Sequence, residues 1–236
     1  MAGRTKTRNL FYEKYSELLI TLRKLSINSL FLKLSKTYKR PKTELNYINN
    51  FTFLVAVVLS AQSTDVSVNK TTSKLFKIAK TPKDMISLTE TKLKKYIKTI
   101  GLYNSKAKNI IRLSKILLNE YCGKVPKNFE DLIKLPGVGN KTASVFQNVI
   151  LKLPKIAVDT HVFRVSNRTG LVKTKNPNDT QVKLETIVPK KWLMQAHHLL
   201  ILHGRKICKS QKPLCGECSV YSICQYKEKK FYKKNQ

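Results

Sequence analysis

The sequence predicts an all-α fold, and two observations support this prediction. Apolar residues recur at helical spacing in most segments, and no stretch of alternating polar and apolar residues persists along the chain. Glycine and proline separate the helical segments. With 236 residues, of which 42% are hydrophobic, the chain can bury a core in one large domain or two small ones.

The helical segments follow one another from the N-terminus. Residues 8–36 have apolar positions at helical spacing, and residues 43–50 form a connection. The almost wholly apolar stretch Phe51–Ala61 favours a central buried helix, because it is too long for a typical strand. Asp65 is expected to cap the next helix. The later predicted helices are Asp65–Phe76, a short one opened by Thr81 and Pro82, Thr89–Ile100, Ser105–Tyr121, two short ones around Leu135–Gly139, Thr160–Thr169, Asp179–Val188 and Trp192–Gly204.

The net charge of +32 is the most unusual bulk property of the chain. Residues 1–40 hold ten basic and two acidic residues, so most of the excess lies in the folded body rather than in a tail. The positive electrostatic field of such a charge favours binding of a polyanion, above all nucleic acid. A general drift of composition toward lysine would also produce much of this charge. No apolar run is long enough to span a bilayer, and no membrane association is expected.

Four of the five cysteines lie within seventeen residues, spaced C-x6-C-x2-C-x5-C: Cys208, Cys215, Cys218 and Cys224. Two unstrained disulfides do not fit easily into so short a loop. The single C-x2-C with longer arms suits a cubane iron–sulfur cluster with one thiolate per iron, whereas structural zinc more often has two C-x2-C pairs. Zinc remains the alternative. Free thiols indicate a reducing, intracellular compartment: bacterial cytoplasm and nucleoid, or an organelle or nucleus. The fifth cysteine, Cys122, is expected to be a small buried hydrophobe.

The stretch Leu135-Pro136-Gly137-Val138-Gly139 lies between two helical segments and is a candidate phosphate-binding hairpin. Its two glycines allow the main chain to approach a ligand, and the following helix offers free N–H groups and a positive dipole end. A plain helix–helix turn is the alternative. Lys141 lies two residues into that helix, where the dipole opposes an ammonium, so the neutral and nucleophilic amine is favoured.

Asp159 is the second candidate catalytic residue, because it directly precedes a predicted helix. Its carboxylate can cap that helix, and the helix dipole stabilises the anion. The same carboxylate could accept a proton from an amine or stabilise a positively charged sugar. The histidines His161, His197, His198 and His203 are expected to be core or cap residues rather than ligands.

The sequence resembles the endonuclease III family of helix-hairpin-helix DNA glycosylases over residues 43–228. Five segments and the four cysteines support the resemblance: LSAQSTDVSVNKTT (59–72), GLYNSKAKNI (101–110), LPGVGNKTAS (135–144), IAVDTHVFRVSNRTG (156–170) and HHLLILHGR (197–205). The resemblance implies removal of oxidised pyrimidines from duplex DNA and β-elimination at abasic sites, performed by a monomer with a 4Fe-4S cluster. It also implies two helical domains with DNA bound across the cleft between them.

The resemblance assigns roles to individual residues. Lys141 matches the Schiff-base lysine of the family, and Asp159 matches its catalytic aspartate. The positions expected to contact DNA are Gln62 and Leu102 as duplex wedges, Leu135, Gly137, Val138 and Gly139 in the hairpin, and Lys209 and Lys212 in the cluster loop. The expected domains are a basic extension (1–21), an N-terminal helix packing with the cluster domain (22–42), a helical barrel (43–153), the cluster domain (154–228) and a lysine-rich, frayed tail (229–236).

Three other functions are compatible with parts of the sequence. An adenine-mismatch glycosylase shares the fold and the cysteine spacing, but it lacks a lysine at the position of Lys141. A non-catalytic DNA-binding module would not need both Lys141 and Asp159. A ferredoxin-like electron carrier explains the cysteines but neither the charge nor the hairpin.

Overall fold

The computed structural model describes residues 21–39 and 41–234. Every regular element in these ranges is an α-helix, which confirms the predicted fold class. Contacts between Cα atoms divide the chain into two compact units: Thr43–Ala157, and the described residues before 43 together with those from Val158 onward. The predicted boundary at residue 153 lies four residues before this division. The functions assigned to the two domains stay predictions.

The Thr43–Ala157 unit is built on a helix that is buried on almost every side. This helix, α2 (Asn50–Ser60), is buried continuously from Phe51 to Leu59, as its apolar sequence predicts. Asn49 begins it with a capping box, in which the side chains of Asn49 and Thr52 each accept a backbone N–H of the other residue. The other helices of this unit are α3 (Asp65–Ile78), α4 (Pro82–Ser87), α5 (Thr89–Ile97), α6 (Tyr103–Glu120), α7 (Phe129–Lys134) and α8 (Asn140–Val149). Helices α3, α6 and α8 pack against α2.

The residues that begin α3 and α4 differ in how well the sequence predicts them. Thr81 caps α4 and Pro82 occupies its first turn, as predicted. The predicted cap of α3 at Asp65 is wrong, because the Thr64 hydroxyl accepts the Ser67 N–H instead, at 3.2 Å. Asp65 is therefore the first helical residue, where its negative charge complements the helix dipole.

The second unit combines residues 21–37, which form α1, with the C-terminal third of the chain. The Phe31 ring of α1 stacks on the Trp192 ring, with 6.1 Å between centroids, and the Trp192 Nε1 donates to the Asn28 Oδ1 at 2.8 Å. These contacts bury an apolar face of α1 within this unit. Its other helices are α9 (Thr160–Thr169), α10 (Pro177–Ile187), α11 (Lys190–Lys206) and α12 (Lys229–Lys234).

The predicted fraying of the lysine-rich tail is wrong for its described part, because residues Lys229–Lys234 are helical. The Lys229 amine donates to the carbonyl oxygens of Tyr221, at 2.9 Å, and Cys224. The rings of Tyr226 and Tyr232 stack with 6.3 Å between centroids. These contacts attach the tail to the cysteine segment. None of the described helices is long and apolar enough to cross a bilayer.

The predicted burial of Cys122 is also wrong. This residue is exposed and has a φ of 50°. It lies just after α6, where the Gly123 N–H donates to the Leu117 carbonyl at 2.8 Å and closes the end of the helix. A left-handed residue at this position is a common way to end a helix, so backbone geometry rather than packing determines where Cys122 lies.

Candidate functional site

The candidate hairpin consists of α7, the turn Leu135–Gly139 and α8. The Val138 N–H donates to the Leu135 carbonyl at 3.0 Å, and Gly137 has a φ of 82°. A Cβ at Gly137 would lie 3.2 Å from the Cβ of Asn109 and 3.4 Å from Val58. Only glycine suits both this conformation and the close approach to α6 and α2.

The side chains of Leu135 and Val138 do not reach the surface of the hairpin. They are only 2% and 5% exposed and belong to the apolar core of the unit. Their side chains therefore stabilise the turn, and a ligand at the hairpin would meet main-chain groups. Both residues were predicted to contact DNA, and the burial restricts that prediction to their backbone atoms.

Helix α8 begins without a side-chain cap, because its N-cap residue is Gly139. A Cβ at Gly139 would meet no atom within 4 Å, so the space in front of the helix is open. Lys141, the second residue of α8, has a partly buried side chain. Among the described residues, its amine has no hydrogen-bond or ion-pair partner. The amine is therefore available to a ligand beside an anion-binding helix end.

Asp159 caps α9, as predicted, by accepting the Val162 N–H on its Oδ1 at 2.8 Å. This bond fixes the carboxylate at the positive end of the helix dipole. Burial lowers the pKa of the neighbouring His161, and the charge of Asp159 opposes that effect. Lys141 and Asp159 belong to different units, and their proposed cooperation stays a prediction.

The predicted wedge residues, Gln62 and Leu102, share an unusual backbone conformation. Both are exposed, Leu102 by 60% of its surface, and both have a left-handed backbone, with φ of 54° and 58°. L-residues other than asparagine and aspartate seldom adopt it, at a cost of roughly 1–2 kcal/mol each. Gln62 follows α2, and Leu102 is the N-cap of α6. Gln62 has this conformation at the end of α2, as Cys122 has at the end of α6, whereas Leu102 has it at the start of α6.

Lys209 and Lys212 are both exposed on the segment between the first two cysteines, and Lys212 also has a positive φ, of 47°. The guanidinium of Arg168 holds this segment, since it donates to the carbonyls of Lys209 at 2.6 Å and Ser210 at 2.9 Å. The two lysine side chains are thus presented by an anchored backbone. Sequence reasoning missed Arg168.

The four cysteines at 208, 215, 218 and 224 are free thiols that influence one another electrostatically. Burial, together with the charges of the other three cysteines, raises the pKa of the Cys218 thiol to about 11. Burial and the neighbouring cysteines also raise the pKa of Cys215 and Cys224, and a positive centre bound to the thiolates would offset this effect. In the described part of the chain, no three His, Cys, Asp or Glu side chains lie close enough to hold a single metal ion.

The groups around the sulfur atoms are suited to a thiolate-bound centre. The Arg168 guanidinium lies 3.8 Å from the Cys208 Sγ, and the Tyr226 N–H donates to the Cys224 Sγ at 3.5 Å. His203 Nε2 lies 3.6 Å from the Cys218 Sγ, and burial lowers the pKa of His203 to about 4. Hydrogen bonds and positive charge directed at sulfur stabilise bound thiolates. The donor set therefore fits an iron–sulfur cluster.

The helical fold, the hairpin and the open end of α8 together define a helix-hairpin-helix protein. Residues 55–190 match the sequence model of the family described as HhH-GPD superfamily base excision DNA repair protein. The chain is 55% identical to endonuclease III of Rickettsia conorii over 200 residues, which are 85% of this chain and 95% of that relative. It is 51% identical to endonuclease III of Escherichia coli K12 over 197 residues, which are 84% and 93% of the two chains.

Solved structures give the same result. A trapped endonuclease III–DNA covalent intermediate matches with a TM-score of 0.83 and 41% identity over 88% of this chain and 97% of that one. A non-covalent endonuclease III–DNA complex matches with a TM-score of 0.84 and 40% identity over 89% and 98%. The chain belongs to the endonuclease III family.

Proposed function

We propose that this chain excises oxidised pyrimidines from duplex DNA through a Schiff base on Lys141 and then cleaves the abasic strand by β-elimination. Membership of the endonuclease III family makes it a DNA glycosylase with abasic-site lyase activity in base excision repair. The position of the Lys141 amine, without a partner among the described residues and beside the uncapped start of α8, is the observation that supports the proposal most directly.

The chemistry begins with extrusion of the damaged nucleotide, because C1′ of the sugar cannot be attacked inside the base stack. The Lys141 amine attacks C1′, and the bond between C1′ and the base breaks. The base leaves with that electron pair and takes up a proton. Asp159, fixed as the cap of α9, stabilises the positive charge on the sugar and accepts the amine proton.

The covalent intermediate then determines where the strand breaks. The ring bond between C1′ and O4′ then breaks, O4′ takes up a proton, and C1′ is joined to Lys141 as an iminium, which makes the C2′ proton acidic. Its removal forms a C2′–C3′ double bond and expels the 3′ phosphate, which cuts the strand on that side. Hydrolysis of the iminium returns Lys141 to its free form, so no other reactant than water is required.

We propose that DNA is held through its phosphates and opened by the two wedge residues. The main-chain N–H groups of the hairpin and the exposed Lys209 and Lys212 can bind phosphates without reading the base sequence. Gln62 and Leu102 would fill the space left by the extruded nucleotide. Both side chains project from exposed turns, which agrees with that role.

The four cysteines would hold a 4Fe-4S cluster, with Cys208, Cys215, Cys218 and Cys224 each binding one iron. The thiolates would supply the negative charge that such a cluster requires, and the cluster would crosslink a segment with few buried apolar residues. Its contribution would be structural. The residues of the chain perform the steps on DNA.

Borohydride trapping tests the function directly. Duplex DNA with one abasic site, incubated with the protein and borohydride, is expected to form a stable covalent adduct. Lys141→Ala is expected to form none, whereas Lys134→Ala removes an exposed lysine from the last position of α7, in the same hairpin, and is expected to keep the adduct at saturating protein. If wild-type protein formed no adduct, or if Lys141→Ala formed a normal amount, the lysine chemistry would be excluded.

Asp159→Asn separates the chemical role of this residue from its structural one. Asparagine caps helices about as well as aspartate, so the melting temperature is expected to stay nearly constant. The rate of base excision is expected to fall by about 100-fold or more, because the anionic group is lost. A variant with normal excision would show that Asp159 serves only as the cap of α9.

A further inference from the structure

Lys106, on α6, is a buried lysine that forms no ion pair with a carboxylate among the described residues. It is only 5% exposed. Burial lowers the pKa of Lys106. A buried ammonium is unfavourable unless other groups replace its hydration, so the surroundings of the amine indicate why it is there.

The Lys106 amine donates to three acceptors in the last turn of α2 and in the segment that follows it. They are the carbonyls of Leu59, at 2.8 Å, and Ala61, and the Ser63 hydroxyl, at 3.3 Å. The carbonyl groups in the last turn of a helix have no partner within the helix and form the negative end of its dipole. All three ammonium donors are therefore used, and they add to the bond that the Ser63 N–H donates to the Ser60 carbonyl at the end of α2, at 3.1 Å.

The same residue is also linked to the second wedge. Its backbone N–H donates to the Leu102 carbonyl at 3.0 Å, in the first turn of α6. The adjoining Gly101 lies against the other segment, because a Cβ there would be 3.3 Å from the Gln62 carbonyl oxygen. Lys106 therefore bonds to both sides of the place where the two left-handed turns meet.

We propose that Lys106 is a positioning residue that holds Gln62 and Leu102 together in their left-handed conformations, so that both side chains enter the duplex during nucleotide extrusion. The inference rests on the proposed function, which supplies the wedge role of the two residues. Displacement of such groups by about 1 Å is enough to slow a reaction severely. Loss of this positioning slows the reaction only on lesions that are still base-paired, because an abasic site in single-stranded DNA needs no wedge.

Comparison of two substrates tests this role. The first substrate is a duplex with an oxidised pyrimidine opposite adenine, on which the rate of single-turnover excision is measured. The second is single-stranded DNA with an abasic site, on which the yield of the borohydride adduct is measured. Lys106→Met is expected to slow excision about tenfold or more and to change adduct formation by less than about twofold. Lys115→Met is the matched control, because it removes an exposed lysine from the same helix and is expected to change neither.

A double-mutant cycle shows whether Lys106 acts through the wedge. In a Gln62→Ala/Leu102→Ala background, Lys106→Met is expected to have little further effect on excision, because both residues that it positions are already absent. Additive effects would overturn the inference. So would an equal loss on both substrates, which is the result expected of a purely structural role.

A milder variant covers the case in which Lys106→Met does not fold. Ser63→Ala removes one acceptor of the amine and is expected to slow excision about threefold while leaving the adduct unchanged. An unchanged ratio between the two substrates would overturn the inference about Lys106 and leave the proposed function intact. Absence of an adduct with wild-type protein would overturn both.

Discussion

The Thr43–Ala157 unit and the cysteine segment Cys208–Cys224 are stabilised in opposite ways. In the first, α2 is buried from Phe51 to Leu59 and is surrounded by apolar side chains from three other helices. In the second, only Pro213, Cys215 and Val220 are buried among seventeen residues. The main contacts of that segment are polar and come from Arg168 and Lys229, which donate to its carbonyl groups.

The difference shows which kind of interaction stabilises each region. Apolar burial stabilises by about 25 cal/mol per Å² removed from water, and the Thr43–Ala157 unit has enough of it to form a core. The cysteine segment has too little apolar surface for that, and hydrogen bonds contribute only about 1 kcal/mol each after loss of hydration. The stability of the segment is therefore expected to depend on the proposed cluster, whereas that of the other unit is not.

Loss of one cysteine ligand is expected to have the largest effect. Cys218→Ser should abolish the visible absorbance of the cluster and lower the unfolding free energy of its unit by at least about 5 kcal/mol, because metal binding is coupled to folding. The single tryptophan, Trp192, stacks on Phe31 in the same unit, so its fluorescence reports this unfolding. Cys122→Ser is the control, since Cys122 is exposed, and no change is expected. Equal stability of the two variants would mean that the segment folds without a cluster.

Truncation in the apolar core is expected to have the next largest effect. Phe53 has no exposed surface, and its ring lies 4.8 Å from that of Tyr47 and 6.2 Å from that of Phe146, between centroids. Phe53→Ala should therefore lower the unfolding free energy by about 3–5 kcal/mol in urea denaturation. Leu118→Ala, which truncates a side chain that is 41% exposed, should change it by no more than about 0.5 kcal/mol. If the two variants were equally stable, the core would not be the main support of this unit.

The two regions also differ in how well the sequence predicts them. The apolar run of α2 is long enough to indicate a buried helix by itself, and the cysteine spacing indicates a common centre. Asp159 was predicted as a cap because an aspartate directly before a helix has few other local roles. Patterns of neighbouring residues were sufficient for α2 and for the cap at Asp159, whereas the common centre on the cysteines stays a prediction.

The remaining features depend on contacts between residues that are far apart in the chain. Lys106 meets Leu59 from 47 residues away, and Arg168 meets Lys209 from 41 residues away. Both resemble ordinary surface cations in a sequence with 46 lysines and arginines. The left-handed backbone of Gln62 and Leu102 has no signal in the residue type, because neither residue favours that conformation.

Loss of the charge from a helix cap on the surface of the Thr43–Ala157 unit is expected to have the smallest effect on stability. A polar contact adds little to the stability of a unit that depends mainly on apolar burial. The hydrogen bond with the Thr81 side chain lowers the pKa of Asp84 from 3.8, and the N–H groups of Lys80 and Thr81 lower it further. The stabilisation is therefore present above pH 3.8 and is lost as the pH falls through the lower folded-state pKa. Asp84→Asn keeps an acceptor but cannot titrate, so it should be less stable than wild type by about 0.5 kcal/mol at neutral pH, a small value because solvent screens the site. In urea denaturation the difference should approach zero in acid, and a difference that stayed constant with pH would mean that the charge of Asp84 does not contribute to the cap.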